Sequence, residues 1–213
     1  MIELVCSGHD AAYELGNVSN LFLPYVHEAL QLETSYNGIE ACAALTKEGT
    51  LLQSASYKVI PEGEEIKDKK ALKEALKKAV YDTLSAYTGR KMPWGILTGI
   101  RPTKLVHEAL KSGMEDDAID AYLKESYYVS PNKRLLMREV AKKELAILER
   151  NEENEVSIYI GIPFCPTRCV YCSFTAYSLE QKQKEVEPYL EALFKEISFV
   201  AEAKKGVHIR SLY

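Results

Sequence analysis

The stretch Tyr159-Ile160-Gly161-Ile162-Pro163-Phe164-Cys165-Pro166-Thr167-Arg168-Cys169-Val170-Tyr171-Cys172-Ser173-Phe174 packs three cysteines into eight residues with the spacing C-x3-C-x2-C. Before it, Val156 to Ile160 is a short apolar run that reads as a strand. After it, residues 183–204 place Leu190, Leu193, Phe194, Ile197, Val200 and Ala201 at helical spacing, and Gly206 breaks that pattern. Val207 to Tyr213 then reads as a second strand. Strand, loop, helix and strand make one βαβ unit, the building block of a parallel sheet or barrel.

Upstream, the acidic and polar run Asn151-Glu152-Glu153-Asn154-Glu155 is the best boundary in the sequence. It predicts an accessory α+β domain over residues 1–150 and a second domain over residues 156–213. In the first, residues 2–7 read as a strand ending at Gly8, and Val18 to Leu32 as a helix with Pro24 near its start. Gly38 to Thr46 and Thr50 to Ile60 read as a hairpin around Lys47-Glu48-Gly49. Residues 66–87 form an amphipathic helix whose apolar stripe is Leu72, Leu76, Ala79, Val80 and Leu84, closed by Gly89. Its lysine-rich face over residues 67–78 reads as a solvated surface. Pro102 sits in the first turn of a helix running through Leu110, and two helices follow, at about residues 115–126 and 131–150. In the last, Met137, Val140, Ala141, Leu145 and Leu148 share a face.

Composition narrows the function class. Of the 213 residues, 46% are hydrophobic and 27% charged, enough for a buried core. The net charge of −4 lacks the basic excess of a general nucleic-acid binder. No run approaches the ~20 apolar residues that span a bilayer, and Met1-Ile2-Glu3-Leu4-Val5 carries no basic leader. The expectation is a cytoplasmic protein with neither nucleic-acid nor membrane partners. In a reducing compartment, Cys165, Cys169 and Cys172 read as a metal or redox group and not as disulfides. Three thiolates can hold three corners of a cubic [4Fe–4S] cluster, leaving one iron open to another ligand. A structural zinc site normally takes four ligands, and His208 is the one candidate nearby. Cys6 and Cys42 sit in apolar runs and read as buried small hydrophobes.

The cysteine segment resembles the cluster motif of the radical S-adenosylmethionine superfamily, C-x3-C-x-aromatic-C, with Cys165, Cys169 and Cys172 on the cysteines and Tyr171 on the aromatic. Its flank, Tyr159 through Cys165, is similar to the Tyr-x-His-Ile-Pro-Phe-Cys signature of oxygen-independent coproporphyrinogen III oxidases. The coproporphyrinogen dehydrogenase-like branch of Gram-positive bacteria also resembles this chain in Leu97-Thr98-Gly99-Ile100-Arg101-Pro102-Thr103-Lys104.

The resemblance implies the first βαβ unit of a radical S-adenosylmethionine partial (β/α) barrel, holding a [4Fe–4S] cluster and S-adenosyl-L-methionine. Tyr159, Tyr171 and Phe174 would lie beside the cofactor. It further implies oxidative decarboxylation of coproporphyrinogen III to protoporphyrinogen IX in haem biosynthesis, fed by a low-potential donor such as flavodoxin or ferredoxin. Two positions depart from the oxidases: Gly161 stands where they carry His, and Phe174 where they carry a further Cys. The related haem chaperones also lack that Cys, so a haem-binding relative without oxidase activity is the alternative. In the family a glycine-rich loop follows the second strand. The chain ends at Leu212-Tyr213, where that loop is expected, which implies a truncated chain that turns over no substrate. A tetracarboxylate substrate also gives Arg101 and Lys104 a reading as propionate contacts, against solvated charges at a helix start.

Overall fold

The computed structural model describes all residues except Glu62, Ile100, Asn151, Tyr171, Ser173, Lys204 and Lys205. It divides into two compact units, Met1–Ala146 and Ile147–Tyr213.

The first unit is an α+β fold on a mixed four-stranded sheet in the order β1-β2-β3-β4. β1 (Ile2–Ser7) runs parallel to β2 (Leu30–Tyr36), while β3 (Glu40–Lys47) is antiparallel to β2 and to β4 (Thr50–Lys58). Alternation decides which face is covered. Leu30, Leu32 and Thr34 of β2 and Ala41, Ala43 and Leu45 of β3 point into the core, while their neighbours face outward. At the β3–β4 turn Glu48 and Gly49 both have positive φ (49° and 78°), the two-residue geometry that matches strand twist.

α2 (Glu65–Thr88) lies across β3 and β4. It buries Leu76, Ala79, Val80 and Leu84 from the predicted stripe, together with Tyr81 and Thr83. The alanines of β3 let the helix come close enough for the Thr83 hydroxyl to donate to the Ala43 carbonyl at 3.3 Å. Truncating a fully buried leucine such as Leu76 to alanine would cost about 2–5 kcal/mol. Gly89, in the left-handed region at φ 66°, ends the helix as predicted.

One expected element differs. Residues 18–32 are not a helix. α1 (Ala12–Asn20) is followed by a 3-10 turn at Leu23–Tyr25 that contains Pro24, and Leu30 already opens β2. The parallel register Ile2↔Leu30 to Ser7↔Ser35 supplies the hydrogen bonds that outweigh the local helical rhythm.

α3 (Thr103–Lys111), α4 (Asp116–Tyr127) and α5 (Pro131–Leu148) complete this part of the chain. α4 and α5 are joined by ion pairs, Arg134 to Asp120 at 2.9 Å and Lys142 to Asp116 at 2.6 Å. α3 meets α5 through buried His107, whose Nε2 lies 3.2 Å from the Ala141 carbonyl and 3.1 Å from Glu144. The predicted apolar face of α5 is only partly covered: Met137 and Ala141 are buried, while Val140 and Leu148 are exposed.

The second unit contains a parallel pair, β5 (Glu155–Ile158) with β8 (His208–Leu212), connected through α6 (Leu179–Ala203). A second pair is two residues long, β6 (Phe164–Cys165) with β7 (Tyr177–Ser178). The strand–helix–strand crossover is therefore present, though two strands form no barrel. The backbone leaves helical geometry at Lys182, so the regular part of α6 begins at about the predicted residue 183, while Lys204 at its predicted end lies outside the described residues. None of the apolar residues expected to form its stripe is buried: Phe194, Ile197 and Val200 are exposed, and Leu190 and Leu193 half-buried. Asn151 of the predicted boundary also lies outside the described residues. No helix among the described residues is long and apolar enough to cross a membrane.

Candidate functional site

The cysteine loop leaves β5 at Ile158 and is tied down at a few points. The Ile160 amide donates to the Tyr213 carbonyl at 2.8 Å and the Tyr213 amide to Ile158 at 2.9 Å, which extends the parallel ladder beyond the strand. The Tyr159 ring stacks on Tyr213, with centroids 5.4 Å apart and planes 21° from parallel. The Tyr189 hydroxyl of α6 donates to the Gly161 carbonyl at 2.6 Å, and its ring meets Phe164 edge-on at 5.4 Å. The Tyr177 amide donates to the Pro163 carbonyl at 2.7 Å.

Gly161 bears on the departure noted in the sequence. A Cβ at this position would lie 3.1 Å from Cε1 of Tyr159. That is tight, and the Tyr159 ring would have to give way. A side chain at 161 therefore competes with the Tyr159–Tyr213 stack, and glycine permits it.

Cys165 and Cys172 are half-buried and Cys169 is exposed. All five cysteines are free thiols. The Cys172 amide donates to the Cys169 carbonyl at 3.0 Å, so these two share a turn, and the Cys172 thiol points to the Phe174 carbonyl at 3.9 Å. Among the described residues no three His, Cys, Asp or Glu side chains stand together closely enough to hold a metal ion. The donor chemistry suits an iron–sulfur cluster, three thiols on one short loop.

Tyr159 is exposed beyond its stack, Phe174 is exposed, and Tyr171 lies outside the described residues. His208, the zinc candidate, faces Glu155 at 3.5 Å. The Arg210 guanidinium, 2.7 Å from Glu155, holds that carboxyl below the usual range, helped by the Glu152 amide.

Beside the loop is an open cleft of about 480 Å³, with Pro163, Phe164, Tyr177, Lys182, Glu185 and Tyr189 among its lining residues. Tyr189 and Lys182 were not singled out in the sequence. Tyr189 reaches Gly161 across 28 residues, and no local pattern signals that contact.

The remaining sequence candidates are in the first unit. Arg101 and Lys104 are both exposed, and Lys104 lies 3.8 Å from Glu108, one helical turn on; Ile100, inside the Thr-Gly-x-Arg-Pro turn, is outside the described residues. Cys6 and Cys42 are half-buried, not fully buried as expected. Cys6 accepts from the Thr34 hydroxyl at 3.4 Å, and burial pushes the Cys42 thiol up. His9 Nε2 lies 3.2 Å from the same Thr34 hydroxyl. The lysine face of α2 is only partly a solvated surface, because Lys73 and Lys77 are half-buried.

Comparison with known proteins adds one relationship. Over 148 residues the chain is 40% identical to the oxygen-independent coproporphyrinogen-III oxidase-like protein HemZ of Bacillus subtilis (strain 168). The match takes in 68% of this chain and 30% of that protein, so the chain spans well under half of its curated relative. No family model matches the chain. No solved structure matches it. At this identity over two thirds of its length, the chain is a homologue of an oxygen-independent coproporphyrinogen-III oxidase-like protein.

Proposed function

We propose that the chain is part of a cytoplasmic oxidoreductase of haem biosynthesis whose reaction is the oxygen-independent oxidative decarboxylation of coproporphyrinogen III to protoporphyrinogen IX. The observation that carries this reading is the coincidence of two facts. The chain is 40% identical to a relative named for that oxidase, and it holds three free cysteines at C-x3-C-x2-C spacing next to a parallel strand pair.

Cys165, Cys169 and Cys172 are the proposed ligands of a [4Fe–4S] cluster, with S-adenosyl-L-methionine as the second cofactor and a flavodoxin or ferredoxin as the electron source. The chain's own contribution is positional. Tyr189 fixes the loop backbone at Gly161, and the Tyr159–Tyr213 stack fixes its root on the ladder.

The test uses the complete encoded protein, reconstituted with iron and sulfide without air. The expected result is about four irons per chain, lost when Cys165, Cys169 and Cys172 are replaced by alanine, with protoporphyrinogen formed from coproporphyrinogen when S-adenosylmethionine and a reductant are supplied. Zinc in place of iron would overturn the reading. Haem binding without turnover would instead support the haem-chaperone relative, the reading that Phe174 in the position of the oxidases' additional cysteine favours.

A further inference from the structure

A second cleft, of about 440 Å³, opens in the first unit along one face of α2. Lys70, Lys73 and Lys77 line it at intervals of three and four residues, so they stand one above another on the helix. Its apolar walls are Ile66, Leu97 and Leu105, and Thr98, from the segment Leu97–Lys104, also borders it. Ile66 is 84% exposed, an apolar side chain at the rim. The volume lies within the range of small-molecule sites, and apolar walls with a few convergent polar groups are their usual make-up.

The charges are not balanced from within. The Glu14 carboxylate is held by Lys73 at 2.6 Å, and Glu74 accepts the Tyr127 hydroxyl at 3.2 Å. Asp10 acts on Lys69 and Lys73, and Lys69 is paired with Glu65 at 2.7 Å. Among the described residues Lys77, half-buried, makes no ion pair or hydrogen bond, and Lys70 adds like-charge repulsion to it. Burial pushes the Lys77 ammonium down, and Glu74 and Glu14 offset this only in part. An ammonium withdrawn from water and only partly compensated costs stability, so this arrangement is one that a further anion would relieve.

We propose that this cleft binds a carboxylate-bearing organic molecule with an apolar body, the carboxylate pairing with Lys77 and Lys70 and the body lying against Ile66, Leu97 and Leu105. The lining favours a carboxylate over a phosphate. It offers single ammonium groups and no arginine fork, and the acids Glu14, Glu74 and Asp10 would repel two charges held on one group more strongly than one.

Two probes test it, coproporphyrin III by its absorbance and decanoate by calorimetry. The choice of the first rests on the proposed function and the choice of the second does not. Binding is expected to be saturable with at least one probe, to fall with added salt, and to weaken about ten-fold or more in Lys77→Met. Lys77→Arg retains it. Lys67→Met, whose lysine pairs with Glu64 outside the cleft, leaves it unchanged.

Binding of decanoate alone supports the cleft site and removes the tetrapyrrole as its occupant. No saturable binding of either probe up to roughly 1 mM overturns the proposal. So does binding that Lys77→Met leaves within about twofold while circular dichroism shows the variant folded. Iron content and turnover test the cysteine loop, and Lys77-dependent binding tests the cleft, so either reading can fail alone.

Discussion

Gly95 sits against the carbonyl of Tyr127 so closely that a Cβ on Gly95 would lie 1.9 Å from that oxygen. The same carbonyl accepts the Ile96 amide at 3.0 Å, so the contact joins the Met92–Leu97 segment to the end of α4. Gly95 is also in the left-handed region, at φ 57°. Both effects oppose a side chain, and the obstacle is backbone, which cannot swing aside. Gly95→Ala is expected to destabilise the first unit by about 3 kcal/mol or more in urea unfolding. Gly38→Ala, at φ 94° with nothing near its Cβ, bears backbone strain alone and is expected to cost about 1 kcal/mol. Equal losses in the two variants would show that the Tyr127 contact does not decide the outcome.

Tyr57 and Tyr128 lie 71 residues apart in sequence, and their hydroxyls are 2.6 Å apart beside Asp82, which accepts from both. Burial is the main cause that pushes Tyr57, Tyr81, Tyr127 and Tyr128 up. For Tyr57 the Asp82 carboxylate adds to it, and for Tyr127 the Tyr122 hydroxyl does. A phenol whose value is raised by folding contributes stability that is complete below its unfolded value, about 10, and lost as pH climbs through the folded value. In an alkaline absorbance titration, these four tyrosines should therefore stay neutral until the far-ultraviolet signal is lost. Smooth ionisation of all the tyrosines with the fold intact would refute this.

Asp120 behaves in the opposite sense. The Arg134 side chain, 2.9 Å away, holds its carboxyl below the usual range against the opposing effect of burial. Its contribution is present above the unfolded value of about 3.9 and disappears as pH falls through the lower folded value. Asp120→Asn should cost about 1 kcal/mol at neutral pH, and the gap to the unsubstituted chain should close in strong acid. A gap that persists at low pH would assign the loss to packing instead.

What could be read in the sequence followed from how local each signal was. The stripe of α2 and the Glu48-Gly49 turn are legible because spacing within a few residues encodes them. The strand Leu30–Tyr36 was hidden, because its helical surroundings look continuous until the parallel partner Ile2–Ser7 is known. The cysteine spacing marked its loop directly. The Tyr189–Gly161 bond that steadies the loop joins residues 28 apart and leaves no local trace. Lys77 read as one more solvated lysine, since Leu97, Thr98, Leu105 and Tyr127, which line the same cleft, are distant from it in sequence.

The two longest helices differ in what covers them, and that difference is measurable. α2 has 24 residues and buries seven of them, whereas α6 has 25 and buries none. Helices of this length draw most of their stability from packing of an apolar face and little from propensity. α6 also carries a break at Lys182 and Pro188 within its span, and the proline removes a backbone donor. Amide exchange of the 213-residue chain should therefore show the central α6 amides opening at least about a hundred-fold more readily than those around Leu76 to Leu84. Equal protection in the two helices would mean that Phe194, Ile197 and Val200 are covered in solution. If that protection fell on dilution, the cover would be a second copy of the chain.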